Sequence, residues 1–101
     1  MKAYKHLVKY ALGNNCIVSV WDGEEWQVSK SSSYNAIIEA IESVEVANLK
    51  IYDKFDTRGE GYKGWAHVIP FGLEDNETVA DFTITPFMEA WDSIYTQGEQ
   101  A

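Results

Sequence analysis

The chain has 101 residues, enough for one domain that buries roughly 60–70% of the surface its unfolded form exposes. Its net charge of -8 makes nucleic acid and anionic lipid unfavourable partners, because like charge repels at long range. One cysteine excludes an internal disulfide and suits a reducing, cytoplasmic setting; no apolar run reaches membrane-spanning length, and Lys5, His6 and Lys9 interrupt the N-terminal segment.

Residues 2–12 read as a helix, with Ala3, Leu7, Tyr10 and Ala11 on one side and Lys2, Lys5, His6 and Lys9 toward another. Gly13 and two asparagines mark its end. Residues 16–30 then read as a β-hairpin carrying Trp21 and Trp26. An Asp22-Gly23 turn of type I′ pairs Trp26 with Ser19 and splits the valines between faces. A three-residue connection over Asp22, Gly23 and Glu24 instead sets Val18, Val20, Trp26 and Val28 on one face. A one-residue slip flips every side chain, so the apolar pairing is expected to win, through a bulge at Glu24 or Glu25. Trp21 is then the one large apolar residue on the polar face. Either a helix covers it or a partner does; a helix is the expectation.

Ser31-Ser32-Ser33 offers an N-cap, and Tyr34, Ile37, Ile38, Ile41 and Val44 follow at helical spacing opposite Glu39, Glu42 and Ser43. Ala47–Asp53 alternates as a third strand, residues 54–64 read as a loop, and Trp65–Ile69 as a fourth strand closed by Pro70. Residues 72–84 look irregular, anchored by Val79, Phe82 and Ile84. Thr85-Pro86 opens a last helix with Phe87, Trp91, Ile94 and Tyr95 on its apolar stripe and Gly98 just past its end. The order α-ββ-α-ββ-α predicts an α+β fold, an antiparallel sheet of about four strands with helices mainly on one face.

No catalytic or cofactor-binding constellation stands out. Gly59-Glu-Gly-Tyr-Lys-Gly64 spells G-x-G-x-x-G, but dinucleotide binding needs a strand before it and a helix after it, and here a strand follows. Cys16 with His6 or His67 is a conceivable nucleophile–base pair, yet a thiol alternating with Val18 and Val20 reads as buried and inert. The histidines lack metal-ligand spacing. Asp53, Asp56 and Glu60 fail the EF-hand pattern, since Phe55 and Thr57 occupy ligand positions. His67 reads as a partly buried, hydrogen-bonded strand residue.

Charge is the remaining signal. Lys2, Lys5 and Lys9 open the chain without a carboxylate. After Lys63 there is no Lys or Arg, while Glu74, Asp75, Glu77, Asp81, Glu89, Asp92 and Glu99 accumulate. Glu39 with Glu42, and Glu89 with Asp92, stand three apart on helices, with Cβ atoms about 5–6 Å apart. Solvated helix faces explain such pairs on their own. The functional expectation is a non-catalytic acidic protein that docks on a basic protein surface, a nuclease or nucleic-acid-binding protein, as phage, mobile-element and immunity inhibitors do. Trp21, Glu24, Glu25, Glu39, Glu42, Glu74, Asp75, Glu77, Glu89 and Asp92 form its expected contact set. The alternative is an interaction module, homodimeric or regulatory, that binds through the aromatics of the hairpin. An enzyme ranks last.

Overall fold

Alternation at a period of two sorts the strands of this protein into a buried face and an open one. The computed structural model describes residues 1–55 and 61–100. Within them the chain runs α1 (Ala3–Gly13), β1 (Cys16–Trp21), β2 (Trp26–Ser31), α2 (Tyr34–Glu42), β3 (Ala47–Asp53), β4 (Tyr62–Val68), β5 (Val79–Phe82) and α3 (Pro86–Gln100). A short 3-10 turn at Asp75–Thr78 leads into β5. The fold is α+β, as the order of elements implies, with five strands rather than four. All neighbours are antiparallel in the order β2-β1-β3-β4-β5.

The buried face is aliphatic. Val18 faces Ile51, Val20 faces Leu49, Leu49 faces Ala66 and Ala47 faces Val68 across the ladder, and all of these are buried. Against them pack Leu7 and Val8 of α1, Ile37 and Ile41 of α2, and Met88 and Trp91 of α3. Each such side chain contributes roughly 1.5–3 kcal/mol relative to leaving it in water. α1 touches both other helices and so lies between them. Gly64 of β4 lets α3 approach closely, since a Cβ there would sit 2.3 Å from Met88 Cγ.

Polar groups close the helix ends. Ser33 Oγ accepts from the Ala36 N–H at 3.3 Å. Thr85 Oγ1 accepts from the Met88 N–H at 3.3 Å and donates to the Lys63 carbonyl at 2.7 Å, which ties α3 to β4. At the end of α1 the left-handed residue is Asn15 (φ 60°), not Gly13. Two aromatic residues of the core keep polar partners: the Tyr4 hydroxyl donates to Glu42, and Trp91 Nε1 donates to His6 Nδ1 at 3.0 Å.

The structure departs from the sequence expectations at specific points. Trp21 pairs directly with Trp26, so Trp26 leaves the valine face on which it was expected; Val20 still pairs Val28. The register shifts that allow this lie along the β1–β2 ladder, between Val18 and Trp21, and the connection is the four residues Asp22 to Glu25, closed by Asp22 N–H to Glu25 carbonyl at 3.1 Å. Among the described residues no helix covers Trp21, whose ring meets Trp26 instead. Val79–Phe82 is a strand because it completes the edge beside β4. Ile84, in the link before α3, is 81% exposed rather than an anchor. On α3 the inward set is Met88, Trp91 and Tyr95; Ile94 is 48% exposed, and the helix continues past Gly98. Tyr4 and Val8 join the buried face of α1, while Tyr10 packs at its margin. Of the G-x-G-x-x-G stretch, Gly59 and Glu60 lie outside the described residues, as does Asp56; Tyr62 to Gly64 belong to β4.

Candidate functional site

The face of the sheet away from the helices is built by the other half of each strand's alternation. Trp21 of β1, Trp26 of β2, Asn48, Lys50 and Tyr52 of β3, and Tyr62, Trp65 and His67 of β4 share it. The register sets them in rows: Trp26–Trp21–Asn48–His67, then Lys50–Trp65, then Tyr52–Tyr62. The Trp21 and Trp26 rings meet edge to face with centroids 4.9 Å apart, and Tyr52 and Tyr62 do the same at 5.9 Å. Trp26 and Tyr62 are nearly half exposed, and among the described residues no helix lies on this side.

Trp21, Trp26, Asn48, Lys50 and Trp65 enclose a shallow cleft of about 250 Å³. Its lining is three indoles, one amide and one ammonium. The amide is already engaged: Asn48 Oδ1 lies 3.0 Å from His67 Nδ1, and Asn48 Nδ2 donates to the Trp21 carbonyl at 3.5 Å. Lys50 Nζ stands 5.5 Å from the centre of the Trp26 ring, and Lys30 Nζ 5.9 Å from that of Tyr52. Both are cation–π arrangements that spread positive charge over the aromatic face. Lys30 itself has φ 49°, and its N–H donates to Ser19 Oγ at 2.7 Å, where the β1–β2 ladder is irregular.

One end of the face is acidic. Asp22, beside Trp21, holds the hairpin loop: its Oδ1 accepts from the Glu25 and Glu24 N–H groups, each at 2.7 Å, and its Oδ2 accepts from Gln27. These bonds, the backbone donors foremost, keep its carboxyl below the usual range. Asp81 of β5 faces His67 at the far edge.

The acidic contact set expected from sequence is spread over several elements, of which the 3-10 turn lies beside α3, with Glu74, Asp75 and Tyr95 lining one hollow. Glu24 and Glu25 sit at the hairpin loop, Glu39 and Glu42 on α2, Glu74, Asp75 and Glu77 around the 3-10 turn, and Glu89 and Asp92 on α3. Glu42 is engaged within the fold, accepting from Tyr4 and lying 3.8 Å from Lys5 Nζ. The pair of carboxylates on α2 and the pair on α3 are separated by α1, whose Lys5 and Lys9 lie partly exposed or exposed. Of that set only Trp21, with Glu24 and Glu25 close by in sequence, belongs to the open face or its rim.

Reactive chemistry is sparse. Cys16 is buried on the opposite, helix-covered side, its thiol 3.7 Å from the Asn14 carbonyl, and burial pushes its pKa up. It therefore lacks the electropositive, accessible setting of a nucleophile. Among the described residues no group of three His, Cys, Asp or Glu side chains is arranged to hold a metal ion. No helix among them is long and apolar enough to cross a membrane.

Sequence reasoning missed Trp26, Trp65, Tyr52, Tyr62, Lys30 and Lys50 as members of one surface. Part of the signal was present: Asn48, Lys50 and Tyr52 occupy alternate positions opposite Ala47, Leu49 and Ile51. Treating Tyr62 and Lys63 as loop hid the continuation on β4. Compared with known proteins, the chain matches no family model, no curated protein sequence and no solved structure.

Proposed function

We propose that this chain is a non-catalytic binding protein that engages its partner through the open face of its sheet. The observation that carries the reading is the set of three tryptophans and two tyrosines held on a face that no helix among the described residues covers, with lysine ammoniums among them. Large aromatic rings left at the surface forgo burial that the fold could have used, and such rings dominate binding energy where surfaces meet. The buried lone thiol fits work in the reducing cytoplasm.

A second reading keeps the acidic surface as the contact: an antagonist docked on the basic cleft of a nuclease or nucleic-acid-binding protein. Its support is that Glu74, Asp75, Glu77, Asp81, Glu89 and Asp92 are all exposed, in a stretch without any Lys or Arg. Weighing against it, α1 divides the helix carboxylates, and Lys5 is bridged to Glu42.

Capture from lysate at low and high salt distinguishes the two. Three proteins are compared: the natural chain, Trp65→Ala, and the double variant Glu89→Lys/Asp92→Lys. Loss of the captured partner with Trp65→Ala, and its retention by the charge-reversed protein, supports the open face. Loss confined to the charge-reversed protein and to high salt favours the antagonist instead, because exposed charge pairs are screened by salt. Sedimentation of the same proteins reports whether a second copy is the partner.

A further inference from the structure

The chemistry of the open face narrows what it can bind. A cationic ligand in an indole cage is the first possibility, and Lys50 argues against it: an ammonium already lies over Trp26 inside the cleft and would repel a second. The same charge disfavours a basic protein on this face. A second copy packed face to face would bring Lys30 and Lys50 against their own counterparts. What the face complements is a ligand with flat rings and negative charge.

Two stations repeat the same pairing. Trp21, Trp26 and Trp65 accompany Lys50; Tyr52 and Tyr62 accompany Lys30. Lys50 and Tyr52 are two residues apart on one strand, which separates the stations by roughly 6.6–6.8 Å along it. Flat groups linked at short intervals by anionic connectors are the repeating unit of a single-stranded nucleic acid. Stacking on aromatic side chains with lysines along the backbone is the way sequence-tolerant single-strand binders hold it.

Resting on the open-face reading, we propose that this surface binds a short single strand of nucleic acid, with one base in the three-tryptophan cleft beside Lys50 and the next on the Tyr52–Tyr62 pair beside Lys30. The asymmetry of the rim gives the strand a direction. Asp22, Glu24 and Glu25 repel phosphates at the tryptophan end, so the strand leaves toward Lys30 and Tyr52. The engaged Asn48 amide has little left with which to read base edges, so recognition is by ring area rather than by sequence. The net charge of -8 forbids long-range attraction of a polyanion. Affinity therefore comes from stacking, and its salt dependence is shallow. With two lysines near phosphates, log Kd changes with log salt by a slope no steeper than about 1.4, from about 0.7 per neutralised phosphate on a single strand.

The test is a titration of the whole protein with an oligothymidylate of about eight nucleotides, near the site size of one small single-strand-binding domain. The four indole N–H signals are followed by NMR. The three surface indoles should shift together, while the Trp91 indole, buried and bonded to His6, stays still as an internal control. Trp65→Ala should weaken binding about 5- to 100-fold, Trp65→Phe much less because a stacking plane remains, and Lys50→Ala should flatten the salt slope. Surface indoles that do not respond at low salt overturn the proposal, as does a response confined to the lysines of α1. If the oligonucleotide fails while Trp65→Ala still loses a partner captured from lysate, the ligand class is wrong and the open-face reading stands. If both fail, the face itself is not the site.

Discussion

β3 shows in one strand how the two faces of this protein differ. Ala47, Leu49 and Ile51 are fully buried against the helices, while Asn48, Lys50 and Tyr52 lie on the other side, partly in water and partly over rings. The helix side joins aliphatic strand residues to Tyr4, Trp91 and Tyr95 in a buried core; the open side is aromatic and shallowly hollowed, with lysines among its rings and carboxylates at its edge. The contrast teaches that net charge does not describe each face: carboxylates lie on the helix exteriors, the hairpin loop, the 3-10 turn and strands β3 and β5, while the aromatic face carries two lysines against that trend. One side of the sheet packs against the helices, and the other is left open.

Substitutions on the helix side should act on stability. The largest effect is expected from Trp91→Ala, which removes a ring that stacks on Tyr95 at 5.6 Å, meets Phe82 at 5.7 Å and donates to His6. Chemical denaturation should record a loss of about 3–5 kcal/mol. Gly64→Ala comes next, because its methyl would strike Met88 and push α3 off β4; overpacking of this kind costs about 1–3 kcal/mol. If either change leaves the denaturation midpoint where it was, the helix side is not the rigid half of the comparison.

A smaller effect appears in alkali. Burial, with the Glu42 hydrogen bond and charge added, raises the Tyr4 hydroxyl well above its ordinary value, and burial likewise raises Cys16. Both groups stay protonated in the folded protein while the unfolded chain releases its protons. Their contribution is thus complete below the unfolded-state values and fades as pH rises through the folded ones. Melting temperature should fall from about pH 9 upward, and Tyr4→Phe should blunt the part that belongs to the phenol. The smallest effect is at the hairpin loop. Asp22 titrates low, so its hold on the Glu24 and Glu25 amides is present above the unfolded carboxylate range and is lost only as pH falls through its lowered value. The amide signals of Glu24 and Glu25 should report that loss below about pH 4 with the core unchanged.

How much of this was legible in the sequence follows from which interactions are local. Helix α2 and strand β3 could be read because their periodicity and the Ser33 cap are written within each segment. The hairpin register could not, since it depends on a four-residue loop tied by Asp22 and on irregular pairing that brings Trp26 beside Trp21. β5 was opaque for a related reason: four residues with a weak pattern become a strand only because β4 offers an edge. The site was obscured most, because its members come from four strands and converge only when β3 lies between β1 and β4. Carboxylates are easy to count along a chain, whereas rings carried on four strands come together only in the folded sheet.

The most direct test of the division between the two faces is a paired measurement of thermodynamic stability on Trp65→Ala and Trp91→Ala. Trp65 stands opposite Lys50 across the β3–β4 ladder, a cross-strand pair worth about 0.2–1 kcal/mol, so its loss should cost clearly less than the several kcal/mol expected for Trp91. A Trp65→Ala protein as destabilised as Trp91→Ala would contradict the account, for the open face would then be part of what holds the fold together.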